Sequence, residues 1–316
     1  MTSSIASYLI SALTIIVTAI SVGISQGLTN QAGFKAIDIQ PQIKDKITNL
    51  SLLSSALIET AAVVSVFIAI LLLFEDPASV SPFYSDLAKI GVGFAVIATA
   101  LVIGLVSAWP AQEACYATAR QPFHAQWIFN FTLIVLSILQ TPLILAFIVA
   151  LFIKTQAMVT ATLADSLRLI GAGIAIGLGS IGPAIGLAHF ARTAIHGIGI
   201  NRNASNRILT FTFISQAIIE SPIIFSLVVS LFLLFTTAPT VMSGIAMLMA
   251  GITAGVGMFG PGLSSGRTAA VACHEIARNP DQYNSLARTS IFAQGVIDTA
   301  AIYVLLISLG FIFFVS

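Results

Sequence analysis

The sequence predicts an all-α membrane protein in which eight transmembrane helices form four tandem helical hairpins. Three observations support this fold class. The chain is 57% hydrophobic and only 8% charged over 316 residues, whereas soluble domains carry about 25% charged residues. Eight apolar stretches are long enough to cross a bilayer, which takes about 20 residues per helix. These stretches come in pairs that share the same spacing of polar residues.

The eight predicted spans alternate between two compositions. The first span of each pair is rich in small residues, whereas the second is rich in Ile, Leu, Val and Phe. The stretch at the N-terminus lacks a basic region before its apolar run, so we expect it to be a membrane helix and not a cleaved signal peptide. The predicted spans are about 4–27, 50–74, 88–113, 127–153, 168–192, 208–235, 241–265 and 289–315.

One spacing recurs in all four pairs. The two spans of each pair are joined by a polar loop, with the sequences AIDIQPQIKD, ATARQPFHAQ, GIGINRNASN and EIARNPDQYN. The loop positions are Gln40, Gln121, Asn201 and Asn279, and the residues 19 positions later are Glu59, Gln140, Glu220 and Asp298. A hydroxyl residue follows in each case: Thr60, Thr141, Ser221 and Thr299. We therefore predict four copies of one hairpin, copies 1 to 4, over residues 1–80, 81–160, 161–238 and 239–316.

The carboxylates of this series are expected deep in the membrane. At 1.5 Å per residue, 19 residues correspond to roughly 28 Å of helix, which is near or somewhat beyond mid-membrane. Ionisable residues at such a depth are costly and indicate a functional site. A structural hydrogen bond between helices would explain one such residue, but three at one depth favour ion binding by Glu59, Glu220 and Asp298. Gln140 cannot change its charge, so copy 2 is predicted to be silent.

Oxygen-bearing side chains accompany the carboxylates. In an antiparallel hairpin, the residue 14 positions before the loop position lies at the depth of the carboxylate. In the four copies this residue is Gln26, Ser107, Leu187 and Ser265. Gln216 and Gln294 come one turn before Glu220 and Asp298 and are either ligands or helix-contact groups. The candidate coordinating residues are Gln26, Thr60, Gln216, Ser221, Ser265, Gln294 and Thr299. The hydroxyls and Gln26 favour Na⁺, whereas Leu187 favours H⁺ in copy 3, so both ions stay open at this point.

Small residues predict two layers of helices. Glycine is frequent in the first spans of copies 3 and 4, and small residues let membrane helices approach closely. We therefore expect the first spans to form an inner layer and the bulkier second spans an outer layer. Proline is expected to bend three of the first spans, at Pro110, Pro183 and Pro261.

The remaining polar residues are not assigned to the ion site. Glu113 has no counterpart in the other copies, and we favour an interfacial residue over an ion site. His189 is expected to stand alone on a helix. No metal-ligand spacing joins the other histidines and the cysteines, which are expected near loops and in buried packing: His124, His196, His274, Cys115 and Cys273. No metal site is predicted apart from one for Na⁺ as transported ion.

The charged residues predict an orientation. A net charge of +1 gives no reason to expect nucleic-acid binding. Ten of the thirteen Lys and Arg residues lie in the loops inside the hairpins. Because cytoplasmic loops carry an excess of basic residues, we expect these loops in the cytoplasm and both termini on the opposite side.

Several short motifs resemble the membrane proteolipid of F-type ATP synthases, which is their c subunit. ARQP at 119–122 and ARNP at 277–280 resemble the loop of that family. GISQG in copy 1 and GPAIGLA in copy 3 resemble its first-helix glycine motif, and QAIIES at 216–221 resembles its ion-binding helix. The resemblance extends over essentially the whole chain, four times over.

The resemblance implies a rotor ring built from several copies of the chain, with no catalytic site and no cofactor. Each carboxylate would take up H⁺ or Na⁺ from the a subunit of the stator, travel in neutral form past membrane lipid, and release the ion on the far side. The location implied is an energy-transducing membrane, typically the bacterial inner membrane. The gamma and epsilon subunits of the central stalk would dock on the loops, at Gln40, Arg120, Gln121, Asn201, Arg202, Arg278 and Asn279.

The sequence departs from this family in three features. The F-type proteolipid is usually a single hairpin, and fused copies are typical of vacuolar-type proteolipids. Copy 2 has Gln140 in place of the carboxylate, which implies three ions per four hairpins. Arg202 replaces the loop proline of copy 3 and leaves the geometry of that loop open. A vacuolar-type or archaeal-type proteolipid ring and a self-contained repeat-built channel or transporter remain alternatives.

Overall fold

A computed structural model of the chain describes residues 5–74 and 81–314. The described residues form helices and turns and contain no strand. Eight helices are long and apolar enough to cross a membrane: α1 (Ile5–Ile39), α2 (Pro41–Leu73), α3 (Pro82–Arg120), α4 (Pro122–Ala157), α5 (Leu163–Ile200), α6 (Arg202–Phe235), α7 (Val241–Arg278) and α8 (Pro280–Phe314). The all-helical membrane fold is therefore confirmed. Residues 4 and 315, at the ends of the predicted outermost spans, lie outside the described residues, as do residues 75–80 beside the first predicted boundary.

The helices are longer than the spans that hydropathy predicts. They contain 33 to 39 residues each, which is roughly 50–58 Å at 1.5 Å per residue, whereas the hydrocarbon core is about 30 Å thick. The prediction was short because hydropathy detects only the apolar part of a helix. The polar segments next to the loops are helical as well, so each hairpin extends beyond the membrane on its loop side.

The polar loops are much tighter than ten residues. Only Gln40 separates α1 from α2, and a short 3₁₀ turn, Pro41–Ile43, then starts α2. The same arrangement follows Gln121, Asn201 and Asn279, with 3₁₀ turns at Pro122–His124, Arg202–Ala204 and Pro280–Gln282. A residue before proline favours extended backbone, and proline is well tolerated at the first position of a helix. These two preferences produce a one-residue turn.

The third loop keeps this geometry without a proline. Asn201 has φ −139° and ψ 97°, close to the φ −139° and ψ 76° of Gln40. Its side-chain oxygen accepts a hydrogen bond from the Asn203 N–H at 3.1 Å, and its amide nitrogen donates to the Ala277 carbonyl at 3.0 Å. The side chain of Asn201 thus takes over the role of the missing proline.

Three of the four odd-numbered helices are interrupted near their prolines. The regular α-helix stops at Ser107 in α3, Ser180 in α5 and Met258 in α7, and resumes at the next residue. Each interruption lies three residues before a proline, because the proline ring has no N–H and crowds the preceding turn. The first helix, α1, has no proline and is continuous.

The helices form two layers. The odd-numbered helices pack side by side in the order α1, α3, α5, α7. Each even-numbered helix lies against the first helix of its own hairpin, and α2, α4 and α6 also contact the first helix of the next. This two-layer order agrees with the separation of small and bulky residues in the sequence.

The odd layer is the more tightly packed. A Cβ added at Gly173 would strike the backbone of Gly91, and one at Gly251 would strike the backbone of Gly171. Phenylalanine pairs, in contrast, separate consecutive even helices, as Phe67 and Phe147 do with their ring centroids 5.6 Å apart. The odd helices thus approach each other more closely than the even ones.

The array is open at both ends. In the most apolar part of α5, 83% of the residues are buried, whereas in α8 the corresponding share is 17%. α5 has neighbouring hairpins on both sides, whereas α8 contacts chiefly α6 and α7 among the described helices. The outermost helices therefore expose surfaces that are buried on the corresponding helices in the middle of the array.

Candidate ion-binding site

The four positions of the carboxylate series lie on the even helices, the outer layer. Glu220 and Asp298 lie within continuous α-helices. The α-helix is interrupted for one residue at Glu59 in α2 and at Gln140 in α4. The even helices contact one another less extensively than the odd ones, which leaves these side chains close to the junctions between consecutive hairpins.

The site around Asp298 is shared by two copies. The Ser221 hydroxyl, from copy 3, donates to Asp298 Oδ2 at 2.6 Å. The same hydroxyl lies 2.8 Å from the Ile218 carbonyl of its own helix. The residue that follows one carboxylate in the chain is thus the hydrogen-bond partner of the next carboxylate.

The site around Glu220 repeats this arrangement one copy earlier. Its carboxylate lies beside the side chain of Thr141, the residue after Gln140 in copy 2. The carboxylate oxygen Oε1 of Glu220 is buried and has no hydrogen-bond partner among the described residues, and the same holds for Asp298 Oδ1. Each site therefore contains one carboxylate oxygen that is buried and unsatisfied, next to a hydroxyl residue of the preceding copy.

The two ends of the chain carry the two halves of such a site. Glu59 in copy 1 is exposed, and so is Thr299 in copy 4. Among the described residues, the Thr299 hydroxyl bonds only within its own helix, to the Val296 carbonyl at 2.7 Å. The carboxylate at one end and the hydroxyl at the other are thus both accessible to another molecule.

The silent position differs from the sites in copies 3 and 4. Gln140 is only 6% exposed, and neither its amide oxygen nor its nitrogen has a hydrogen-bond partner among the described residues. Thr60, which corresponds to Thr141 and Ser221, donates to Leu57 O at 2.8 Å. The amide has the size of the glutamate that stands at this position in copies 1 and 3, but it cannot change its charge.

The predicted coordinating residues do not behave alike. The Gln26 amide donates to the Ser55 carbonyl at 3.1 Å and so contacts the helix one turn before Glu59. Gln294 is bound by three serines: Ser265 lies 3.4 Å from its oxygen, while its nitrogen lies 3.3 Å from Ser215 and 3.1 Å from Ser290. Gln294 thus contacts the neighbouring helices α6 and α7.

Gln216 has the opposite environment. It is 2% exposed, yet both atoms of its amide lack a hydrogen-bond partner among the described residues. The sequence alone could not separate Gln216 from Gln294, because both stand one turn before a carboxylate.

The loop residues predicted to contact the stalk lie at one end of the bundle, but two are engaged elsewhere. Asn201 bonds the Ala277 carbonyl of the next copy. Arg120 points back along its helix to Glu113, with 2.9 Å between its Nη1 and the carboxylate. Arg278 is largely exposed and lies 3.7 Å from Glu275.

A second polar cluster lies at the junction of α3 and α5. Glu113 is 7% exposed, and its Oε1 lies 2.9 Å from Arg120 Nη1 and 2.7 Å from His196 Nδ1. Arg192 Nε lies 3.8 Å from the other carboxylate oxygen. Glu113 therefore lies between basic side chains of copies 2 and 3.

The expectation that His189 stands alone on its helix is wrong. It lines a cavity of about 270 Å³ together with Glu113, Arg192, Thr193, His196 and His274. The rings of His196 and His274 stack with their centroids 6.2 Å apart. One signal in the sequence could have revealed this cluster, because His196 and His274 both stand five residues before their loop positions.

The comparisons with known proteins point to one family. The family model of the ATP synthase C subunit matches residues 170–233 and 248–311. The two matches are offset by 78 residues, which is also the offset between Asn201 and Asn279. Copies 3 and 4 are thus matched in the spacing that the sequence repeat predicts.

Curated relatives match single hairpins. The ATP synthase c subunit of Dehalococcoides mccartyi (strain CBDB1) is 43% identical over 72 residues, which are 23% of this chain and 95% of the relative. The c subunit of Chloroflexus aurantiacus (strain ATCC 29366 / DSM 635 / J-10-fl) is 38% identical over 66 residues, 21% of this chain and 87% of the relative. The c subunit of Prochlorococcus marinus (strain AS9601) is 38% identical over 74 residues, which are 23% of this chain and 91% of the relative. Less than a quarter of this chain thus covers nearly the whole of each relative.

Proposed function

We propose, because the chain belongs to the family of ATP synthase c subunits, that it is an ion-carrying unit of a membrane rotor ring. Members of this family are non-catalytic rotor proteolipids, so the chemistry of ATP would take place on other subunits of the complex. Under this proposal Glu59, Glu220 and Asp298 each carry one H⁺ or Na⁺, while Gln140 carries none. Three ions would then cross the membrane for every four hairpins that pass the stator.

The observation that carries the proposal is the contact of each inner carboxylate with the preceding copy. The 2.6 Å bond from Ser221 to Asp298 and the contact of Thr141 with Glu220 place a hydroxyl of one copy beside the carboxylate of the next at two junctions. A carboxylate used only to hold helices together would have both oxygens bonded. In these two sites one oxygen stays unsatisfied, which is what a site that exchanges an ion requires.

The Ser221 hydroxyl suits both states of such a site. A hydroxyl has one proton to donate and lone pairs with which to accept. It can donate to an ionised Asp298, or it can turn its proton to the Ile218 carbonyl, 2.8 Å away, and accept from a protonated Asp298. An ionised carboxylate facing lipid is costly, so the neutral or cation-bound state would be the one that travels past lipid.

The exposed ends of the chain indicate that a second copy completes the Glu59 site. Thr141 meets Glu220 and Ser221 meets Asp298, so the next step of the series is Thr299 meeting the Glu59 of another chain. Glu59 and Thr299 are both exposed, as this step requires. The ring would then contain one shared site per chain-to-chain junction, and the other carboxylates would have their hydroxyl partners within the chain.

The odd layer gives an independent argument for the same junction. Gly104 and Gly182 lie against the neighbouring copy, so that an added Cβ would strike Ser21 and Phe259 respectively. Their counterparts on the end helices, Gly23 on α1 and Gly260 on α7, have no described atom within 4 Å of such a Cβ. Glycines that are packed in the middle of the array and uncovered at its ends favour a further copy at each end.

The orientation and the partners follow from the family and from the basic loops. We place the loop end of the hairpins in the cytoplasm, because ten of the thirteen Lys and Arg residues lie toward that end. The loop end of the bundle would then meet the gamma and epsilon subunits of the central stalk, and the outer layer would face membrane lipid and the a subunit of the stator. An energy-transducing membrane, such as the bacterial inner membrane, is the location that this assembly requires.

Reaction with a carboxyl-reactive carbodiimide tests the ion-carrier assignment. In membranes that contain the assembled complex, we expect labelling at Glu59, Glu220 and Asp298 and none at Gln140, as read from peptide masses. Protection by Na⁺ would identify Na⁺ as the transported ion, and labelling that depends on pH alone would identify H⁺. Absence of labelling at all three carboxylates would refute the assignment.

Disulfide cross-linking tests the ring. Neighbouring odd helices contact each other at fixed positions, as Gly173 does with Gly91 and Gly251 with Gly171. On the later helix the contact residue stands 28 positions before the loop position of its own hairpin. On the earlier helix it stands 30 positions before the loop position of that hairpin. At the chain-to-chain junction this rule pairs Ala12 with Met249, which are both exposed in the single chain.

We therefore expect Ala12→Cys together with Met249→Cys to form disulfides between chains on oxidation, giving multiples of the chain mass. Ala12→Cys with Val256→Cys is the matched control, because Val256 is exposed on α7 but stands two turns, about 10 Å, away from Met249. Equal cross-linking of the two pairs, or none in either, would contradict the proposed junction.

A further inference from the structure

We propose that the Glu220 site binds its ion together with a water molecule held by Gln216, whereas the Asp298 site binds its ion without one. The inference rests on the proposed function and makes two of the carriers chemically different. Its ligand is a small polar group, either a water that accompanies a proton or a water in the shell of Na⁺.

The first argument is the unsatisfied amide. Gln216 is 2% exposed, and neither its amide oxygen nor its nitrogen has a hydrogen-bond partner among the described residues. Buried polar side chains are bonded in most native proteins. Such an amide points to a polar ligand when a second unsatisfied polar group lies one turn away on the same helix. Gln216 has such a neighbour in Glu220, whereas the residues one turn from Gln140 are Leu136 and Ile144.

The second argument is the position of the amide. Gln216 and Glu220 are four residues apart on a continuous α-helix, so their side chains lie on one face. Glu220 Oε1 is also buried and unpartnered among the described residues. Together the two side chains offer three unsatisfied polar atoms on one face, and a buried water typically makes about three hydrogen bonds to such groups.

The third argument is the comparison with Gln294, which stands at the same position of copy 4. Its amide is engaged by Ser265, Ser215 and Ser290 at 3.1 to 3.4 Å. Both N–H donors of that amide are engaged, and its oxygen already accepts one hydrogen bond. The same residue type at the same helical position is thus engaged in one copy and unsatisfied in the other.

The cause of this difference lies in the residues that replace the serines. In copy 3 the position of Ser265 is held by Leu187, and the position of Ser215 in the preceding copy is held by Val135. Both are completely buried. The position of Ser290 is held in copy 3 by Thr212, whose hydroxyl already donates to the Ile208 carbonyl at 2.7 Å. Two of the three polar partners are therefore absent around Gln216.

The chemistry of the amide fits a water better than a bare ion. The Gln216 N–H can donate to a water oxygen, and that water can donate to Glu220 Oε1. Na⁺ would use the amide oxygen and the carboxylate and would leave the N–H to a water. In both cases removal of the amide leaves the ion at Glu220 with one support fewer and leaves Asp298 unaffected.

Site-resolved carbodiimide labelling in the assembled ring tests the inference, with and without Na⁺. We expect Gln216→Leu to change the labelling rate of Glu220 at least fivefold and that of Asp298 less than twofold. Gln294→Leu is the matched control, and we expect it to change the Asp298 rate less than twofold. A Na⁺ protection of Glu220 that disappears in Gln216→Leu would assign the water to the shell of Na⁺, and a rate change without any Na⁺ effect would assign it to a proton site.

A second variant tests the stated cause. Leu187→Ser combined with Val135→Ser supplies the two missing hydroxyls, so we expect Gln216 to become engaged and the labelling of Glu220 to approach the rate seen in Gln216→Leu. Normal labelling of both carboxylates with no response of Glu220 to Gln216→Leu would overturn the inference and leave the ion-carrier function intact. Loss of labelling at both carboxylates in the unmodified ring would instead refute the function itself.

Discussion

Replacing Gly173 with alanine tests the close packing that holds the odd layer together. The Cβ of alanine would strike the main-chain carbonyl of Gly91 on α3. A backbone oxygen cannot rotate away as a side chain does, so α3 and α5 would have to separate along their contact. Gly295→Ala on α8 is a matched control, because no described atom lies within 4 Å of its added Cβ.

The expected size of the effect follows from two opposing terms. Overpacking costs about 1–3 kcal/mol, whereas alanine in place of glycine within a helix gains up to about 1 kcal/mol. Both variants share the gain, but only Gly173→Ala suffers the overlap, so their free energies of unfolding should differ by about 1–3 kcal/mol. Alanine is compatible with the control position, since copies 1 and 3 hold Ala56 and Ala217 there.

The assay is unfolding of the purified chain in mixed detergent micelles by increasing SDS, followed by far-ultraviolet circular dichroism. We expect the midpoint of Gly173→Ala to lie below that of the unmodified chain and the midpoint of Gly295→Ala to lie at or above it. Because the contact of Gly173 with Gly91 is within one chain, the result does not depend on ring formation. Equal midpoints for the two variants would refute the argument from close helix packing.

Three further substitutions address the polar groups. Ser221→Ala removes the hydroxyl that donates to Asp298, and such bonds are stronger to the ionised carboxylate, so the variant should be protonated more often at Asp298. A bond of about 0.5–1.5 kcal/mol corresponds to a carbodiimide reaction about 2–10-fold faster. An unchanged rate would exclude a role of Ser221 at that site. Gln140→Glu should introduce a fourth labelled carboxylate and raise the ions moved per turn by one third, which the ratio of ions to ATP in vesicles would reveal. Glu113→Gln should lower the stability against SDS by about 1–2 kcal/mol, and the loss is modest because the cationic partners of Glu113 are partly exposed and screened. The labelling of the carrier carboxylates should stay unchanged. Altered labelling would place Glu113 in the ion path.

The sequence predicts the eight helices and the repeat well because both depend on properties of single segments. Apolar length determines whether a helix can span a membrane, and the distance from Asn201 to Glu220 recurs between Asn279 and Asp298. The tight loops were missed for a related reason. Hydropathy ends where residues become polar, but polar residues at the end of a long hairpin remain helical.

The contacts across copies could not be predicted in the same way. The spacing places Ser221 next to Glu220 in the chain, and only the packing of α6 against α8 shows that its partner is Asp298. The difference between Gln216 and Gln294 has the same origin. It depends on Leu187 and on a residue of the preceding copy, and sequence periodicity does not say which residues face each other across a junction.

Fusion of four hairpins allows these differences to exist. In a ring of identical single hairpins every junction has the same residues, so a substitution such as Gln140 would silence every site at once. Under the proposed function, covalent bonds fix the order of copies in the fused chain, and Gln140 would silence one position while Glu220 and Asp298 keep their neighbouring hydroxyls. Only the Glu59 site would then be left to be completed by another chain. A defect in assembly should therefore abolish this site first and leave the other two intact, which site-resolved labelling of incompletely assembled material would detect.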